Sequence, residues 1–435
     1  MKFRLSKFII PSVISMVLVG TYTNIDGFFI GNVTGDDGLA AINIVWPIVA
    51  FITSLGTGIG VGGSVMLNNM RGKEDHTGAE QVKATMLFLL VAVGIFSSIL
   101  FKLIYKPLLV LMGAQGQVMA YSVDYADIIC IGAVFQIVGS GLVALLRNEQ
   151  KTYFSMVCCI VGLFIHLLLD ILLVEKYKLS GVAVSTVTSQ AVIMVLCLFA
   201  LKSRNLKRKE KPGVNPKYIL PILTGSTSPF GINFVPSVVL LFTNYFALKA
   251  GGTAAVSAYA VMSYAVYTID YVFQGVCDGV QPVISYCCGA GDYKGERRAL
   301  KNSAIILALF TVLFIAITPA LIVVMPKLFA VSGAAEEMMR MGFIIYAVSY
   351  PFKAAVKFIC SYYYACSRTK VSNMLIYVDP VVLTPMFLMT LPQWMGMNGI
   401  WMALTLAQIC VTIFGGLSFV RLKKFKERKC NYEKR

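Results

Sequence analysis

Two aspartates and a histidine stand in stretches that carry no other charge. Asp26 lies within Asn24-Ile25-Asp26-Gly27-Phe28-Phe29, and Asp170 follows Phe164-Ile165-His166-Leu167-Leu168-Leu169. His166 and Asp170 are four residues apart, so a helix places them on one face. A carboxylate in an apolar medium needs a proton, a cation or a basic partner, and an imidazole one turn away titrates near neutral pH. The chemistry within reach is a proton-sensitive pair of His166 and Asp170, with Asp26 a further buried acid that needs a partner, a proton or water. Two simpler readings stand beside it. Asp26 could be solvated near a membrane interface, and a neutral His166 could be satisfied by a backbone carbonyl.

A second set is spread over later segments. Asp270, Gln274, Asp278 and Gln281 are spaced by four, four and three residues, which lines them along one helical face, with Ser263 and Tyr267 extending the stripe. A polar stripe on an apolar helix faces protein or water, never lipid. Lys353 and Lys357 are also four apart, with Tyr346 and Tyr350 just before them. Asp270 or Asp278 is expected to pair with one of these lysines, and such a pair could equally be a structural tie between helices. Carboxylates beside Tyr267 and Tyr271 suit an amphiphilic cation through charge and ring-face attraction. Tyr267, Asp270, Gln274, Asp278, Gln281, Lys353 and Lys357 are therefore the candidate lining of a substrate cavity.

The elements that position these residues follow from composition. A chain of 435 residues that is 57% hydrophobic and 14% charged, with mean hydropathy +0.76, cannot hide its apolar surface in one water-soluble core. Twelve apolar stretches, from 8–32 to 398–420, are each long enough to span about 30 Å of hydrocarbon as a helix. The charge of +17 might suggest nucleic acid, but 29 of the 38 Lys and Arg fall in alternate connecting segments and the two ends. That asymmetry is the positive-inside pattern, and it places both termini of a multi-pass membrane protein in the cytoplasm. Residues 1–7 resemble the basic start of a signal peptide, but the apolar run after them is too long and lacks a cleavage site, so it is read as the first helix.

The expected fold is all-α and integral to the membrane: twelve helices in two six-helix lobes related by a pseudo-two-fold axis along the membrane normal. Residues 1–207 form the first lobe, 208–217 a cytoplasmic linker containing Pro212, Gly213 and Pro216, and 218–435 the second lobe with a basic tail. Weak echoes support the repeat. Thr23-Asn24 matches Thr243-Asn244, Gly35 through Ala41 resembles Gly251 through Ala258, and Arg71 through Glu74 corresponds in place to Ala290 through Tyr293. The glycines at 56, 58, 60, 62 and 63 allow a close helix approach. The eleven cysteines, among them Cys130, Cys158, Cys159, Cys197, Cys277 and Cys410, show no paired spacing and read as small apolar packing residues.

Several runs together resemble the multidrug and toxic compound extrusion family: Asp26-Gly27-Phe28-Phe29-Ile30-Gly31, Leu145 through Gln150 followed by Leu169 through Leu172, Gly181 through Thr186, and Gln281-Pro282-Val283-Ile284 with Gly289-Ala290-Gly291. The resemblance implies a cation site of Asp26 and Asp170 with Thr186 as a hydroxyl neighbour, in which Asp26, His166 and Asp170 share one titrating cluster. His166 departs from the Asn that many members carry there. An imidazole suits Na⁺ poorly, so the departure favours H⁺. The acidic residue often found on helix seven is replaced here, with Ser237 the nearest equivalent. The expected function is export of amphiphilic, cationic compounds by an antiporter that alternates access between lobes, driven by H⁺ in preference to Na⁺. The alternative is a lipid-linked oligosaccharide flippase or a narrow-specificity metabolite exporter of the same superfamily. No enzyme is expected, since His76 and His166 are the only histidines and no nucleophile–base or metal constellation stands out. No cofactor, metal or nucleic acid is expected; the partners are a small-molecule substrate and membrane lipid, with the chain a monomer.

Overall fold

The computed structural model describes residues 4–201, 213–329, 331 and 333–432; part of the expected linker (208–212), Lys2 and the last basic residues lie outside them. Among the described residues there is no strand. Eight helical runs are long and apolar enough to cross a membrane, and Gly116–Ile131 with Ala133–Asn148, bent by 58°, forms a ninth. Three of these runs leave helical geometry partway: Ser6–Gly72 at Gly35, Thr152–Leu201 at Lys178, and Ile219–Ala290 at Gly251 and Gly252. Each such break makes two spans of one run, so the nine become twelve.

In chain order the spans are α1 (6–34), α2 (36–72), α3 (His76–Leu111), the bent α4 (116–148), α5 (152–177), α6 (179–201), α7 (219–250), α8 (253–290), α9 (Tyr293–Leu328), α10 (Gly333–Ala365), α11 (Thr369–Met395) and α12 (Met397–Tyr432). Their outer faces are apolar because lipid is their solvent: Phe96, Ile99 and Leu103 on α3 and Leu309, Val312 and Leu313 on α9 are all exposed.

Backbone geometry sets the register of the internal repeat. Gly35 (φ 64°, ψ −148°) between α1 and α2 has its counterpart in Gly252 (φ 65°, ψ −155°) between α7 and α8. Asp75 accepts from the Gly78 amide and Asp292 from the Gly295 amide, each at 2.8 Å, capping α3 and α9 in the same way. Gln150 and Ser367, after α4 and α10, both take positive φ (61° and 58°). All three correspondences carry one offset of 217 residues. The echoes read from sequence were therefore out of register: Asp26 corresponds to Thr243, Arg71 to Cys288 and Gly72 to Gly289. A fourth match, Lys178 (φ 50°, ψ −127°) with Gly396 (φ 54°, ψ −133°), needs an offset of 218. The extra residue sits in α11, where Asp379–Leu383 is wound as a π-helix, the form a one-residue insertion takes inside an α-helix.

The chain divides into two compact units. The first contains residues up to Ser237 together with Gln274–Leu300 and Tyr364–Thr369; the second contains Val238–Phe273, Lys301–Tyr363 and the residues from Lys370 onward. In the first unit the glycines of α2 work in two rows. A Cβ on Gly56 or Gly60 would collide with the α4 backbone at Ile137 or Gly141, and one on Gly62 with Ser226 of α7. Alternate glycines thus let two neighbours approach opposite faces of one helix.

Candidate functional site

In the first unit α1 and α5 each contribute one ordered stripe. Tyr22 and Asp26 are one turn apart on α1, and Gly162, His166 and Asp170 follow at four-residue intervals on α5. Gly162 makes the approach possible, since a Cβ there would lie 3.0 Å from the Tyr22 hydroxyl and 2.4 Å from Ile193 of α6. The Tyr22 ring then stands edge-on to His166, with centroids 4.9 Å apart.

This packing brings the three titratable groups together. His166 Nε2 lies 2.7 Å from Asp26 Oδ1 and 3.1 Å from Asp170 Oδ2. His166 and Asp170 have no exposed surface, and Asp26 is 7% exposed, so neither the solvated Asp26 nor the carbonyl-bonded His166 describes the site. Nδ1 of His166 has no hydrogen-bond partner. Nε2 makes its hydrogen bond to Asp26 Oδ1, whereas neither oxygen of Asp170 has a hydrogen-bond partner, so Asp170 acts on the ring through its charge. Tyr125 of α4 stands near both aspartates and approaches Thr186 of α6, whose hydroxyl makes no hydrogen bond. Thr186 thus joins the site through Tyr125.

At the ends of the spans where basic residues gather, Arg147 in the last turn of α4 reaches Asp278 of α8, Nη1 to Oδ2 3.1 Å, with side chains 3% and 4% exposed. The Gln274 amide donates to the other Asp278 oxygen at 2.8 Å, and Gln281 donates to Ser285 at 3.2 Å. Gly72 and Gly289 face each other closely here, and Asn69 donates to Ser367 at 3.0 Å. Beside them Glu149 Oε1 lies 3.0 Å from Arg71 and 2.9 Å from Lys83, and Arg71 lies 3.6 Å from Glu80. Burial acts to raise the Glu149 pKa, but Lys83 and Arg71 together hold the carboxyl below its ordinary value.

In the second unit Lys353 of α10 meets Asp270 of α8 at 2.9 Å, and its ammonium lies 5.0 Å from the centre of the Tyr346 ring. Tyr267 stands beside Tyr259, Tyr346 and Asp270. Lys357 is half-buried one turn beyond Lys353. The stripe read along α8 is therefore divided: Asp270 holds a lysine, whereas Asp278 is held by Arg147. Arg147 escaped the sequence reading because it was counted with the loop charges. Asp379 was also missed. It is 8% exposed in the π-turn of α11 and accepts from Thr384 and Gln408, each at 2.6 Å. Its signal was the same as that of Asp26: a lone acid inside an apolar run. The positions corresponding to Asp26 and Asp170 are Thr243 and Leu388, so the second half does not repeat the carboxylate pair.

The family model MatE matches residues 11–172 and 230–387, well over half of the chain. Multidrug export protein MepA of Staphylococcus saprophyticus is 22% identical over 300 residues, 68% of this chain and 65% of that protein. MepA of Staphylococcus aureus is 23% identical over 286 residues, 64% of this chain and 63% of that protein. The chain thus aligns with less than two thirds of the length of these relatives. Among solved structures, an outward-facing multidrug resistance MATE family transporter of the MOP superfamily superposes with a TM-score of 0.87 at 20% identity, covering 97% of this chain and 96% of that one. A MOP superfamily transporter from Pyrococcus furiosus, described as having a binding pocket of reversed polarity that suggests a different function, gives 0.86 at 20% identity over 96% of both chains. These two likenesses carry the fold, twelve transmembrane helices in two lobes. With the family model spanning both halves, this chain belongs to the MatE family, the multidrug and toxic compound extrusion proteins, which are transporters and not enzymes.

Proposed function

We propose that the chain is an antiporter of the bacterial cell membrane, both termini cytoplasmic, that exports amphiphilic cationic compounds in exchange for protons. The observation that carries this reading is His166 Nε2 seated between Asp26 and Asp170 in a buried site. A hard cation such as Na⁺ wants several oxygen ligands around it. Here a ring nitrogen occupies the point between the two nearest carboxyl oxygens, which leaves the proton as the natural guest. The two carboxyl groups and the imidazole between them are the groups of this site that can carry charge. Each proton bound removes one charge that an apolar surrounding penalises. Protonation and release therefore alter the electrostatics that hold α1 against α5, which is the lever an alternating-access cycle needs.

The buried Arg147–Asp278 pair fits the same reading as a tie that holds the inner ends of α4 and α8 together in one state and separates in the other. Lys353 is neutralised by Asp270, which speaks against the strongly basic cavity that a flippase of anionic lipid-linked sugars would use.

The test is ethidium efflux from energised vesicles under separately imposed pH and Na⁺ gradients. Efflux driven by the pH gradient and reduced at least tenfold in Asp26→Asn and Asp170→Asn is expected, with an altered pH profile in His166→Ala. Efflux driven by Na⁺ alone, or a His166→Ala profile identical to the parent, overturns the proton assignment. No efflux under either gradient overturns the drug-export reading.

A further inference from the structure

Three side chains far along the sequence from the coupling cluster meet where the basic residues gather: Cys288 in the last turn of α8, Glu296 in the first turn of α9, and Cys366 just after α10. Their ligand atoms all lie within 4.8 Å of one another. Glu296 is buried and the two cysteines are half-buried. Cys288 and Cys366 are joined as a disulfide with their Cα atoms 5.7 Å apart, a correction to the reading of every cysteine as packing. The same Cα separation accommodates two thiolates on one tetrahedral zinc, whose sulfurs stand about 3.8 Å apart for a Zn–S bond of about 2.3 Å.

The repeat gives this joint a counterpart in the first half. At the offset of 217, Cys288 stands at the position of Arg71 and Cys366 at that of Glu149. In the first half those two residues fasten α2 to the end of α4 as an ion pair at 3.0 Å, with Glu80 and Lys83 beside them. That fastening contains both signs of charge. Its counterpart brings together two thiols and a carboxylate, three groups that ligate a borderline-soft divalent cation.

Compartment bears on the same point. The distribution of 29 of the 38 Lys and Arg assigns this end of the spans to the cytoplasm, where glutathione keeps thiols reduced. Two sulfur ligands and one oxygen form a borderline-soft set that selects zinc over magnesium or calcium.

We propose that in the reduced protein Cys288, Cys366 and Glu296 bind one zinc ion, with water in the fourth position, as a clamp on the cytoplasmic ends of α8, α9 and α10. Binding displaces the two thiol protons to solvent and involves no electron transfer. The clamp lies next to Ser367, which accepts the Asn69 hydrogen bond, so it steadies the surface against which α2 rests.

The test uses the full chain purified in detergent with a phosphine reductant, stripped with a chelator and reloaded with zinc. Metal content is read by mass spectrometry and affinity by competition with a chromogenic chelator. One zinc per chain is expected in the parent and in Cys410→Ser, with two reactive thiols masked on loading. Affinity is expected to fall at least tenfold in Cys288→Ser, Cys366→Ser and the isosteric Glu296→Gln, which keeps the question open to test should a serine variant fail to fold. Equal zinc retention by the parent and the Cys288→Ser/Cys366→Ser variant overturns the site. Recovery of the Cys288–Cys366 cross-linked peptide from cells lysed directly into alkylating reagent overturns it as well.

Discussion

Replacing Asp278 with asparagine strands Arg147. The pair is separated by 3.1 Å with both side chains at most 4% exposed. At that distance the attraction is about 5 kcal/mol for an effective dielectric constant of about 20. Desolvating the two ions offsets most of it, so the intact pair adds little net stability. Loss of one partner leaves only the desolvation cost, about 3–5 kcal/mol. Arg147 Nη1, the atom that faces Asp278, makes no hydrogen bond of good geometry. In a state where the inner ends of α4 and α8 separate, water solvates Arg147 and the penalty vanishes. The substitution therefore shifts the equilibrium toward that open state by roughly a hundredfold or more, at about 1.4 kcal/mol per factor of ten. Cys159, 2% exposed and close enough to feel the charge of Arg147, is a native reporter. In inside-out vesicles its alkylation by an impermeant maleimide, followed by peptide mass, should accelerate at least tenfold in Asp278→Asn. The Arg147→Gln/Asp278→Asn variant strands no charge and should return toward the parent rate. An unchanged rate in Asp278→Asn, or a double variant as reactive as the single one, refutes the reasoning.

Two further outcomes follow from the connections. Lys178 holds a backbone conformation that Gly35, Gly252 and Gly396 adopt at the other three such turns, and a side chain there costs about 1–2 kcal/mol. Lys178→Gly gives up a 3.5 Å contact to the Tyr121 hydroxyl, worth a few tenths of a kcal/mol, and should stabilise the protein by about 1 kcal/mol; a lower melting temperature than the parent contradicts this. The depressed pKa of Glu149 means that its contribution is complete above the ordinary glutamate value of 4.5 and is lost as pH falls through the lower folded value. The melting temperature of the parent should therefore drop more steeply below pH 4.5 than that of Glu149→Gln, and parallel curves rule out the ion cluster as a stabilising contact.

Hydropathy and the placement of basic residues were enough to identify twelve spans, because lipid requires each span to be predominantly apolar and to satisfy its backbone hydrogen bonds internally. Asp26, His166 and Asp170 were visible for the same reason: a charge inside such a run has no solvent and must have a partner. The partner of Asp278 was not visible. Arg147 lies only a few residues from a loop, and sequence does not say that the last turn of α4 is buried. Asp379 carried the same signal as Asp26, a lone acid in an apolar run, but the π-turn that buries it has no simple residue signature.

The repeat divides in the same way. Local text suggested two similar halves, but its matches slipped by one to three residues, because unlike helices share few side chains and short echoes arise by chance. The turns settle the register, since a positive φ at Gly35 and Gly252 or a capped first turn at Asp75 and Asp292 is imposed by chain geometry. The sequence by itself determined the solvent of this protein, the number of its spans and which acids require a partner, all of which depend on one segment at a time. Which groups meet was decided only by the tertiary structure: His166 with two aspartates, Arg147 with Asp278, and two cysteines where the first half has an arginine and a glutamate. Each of those contacts joins helices that are distant along the chain, and helix packing, set by the glycine rows and the breaks between spans, brings them together.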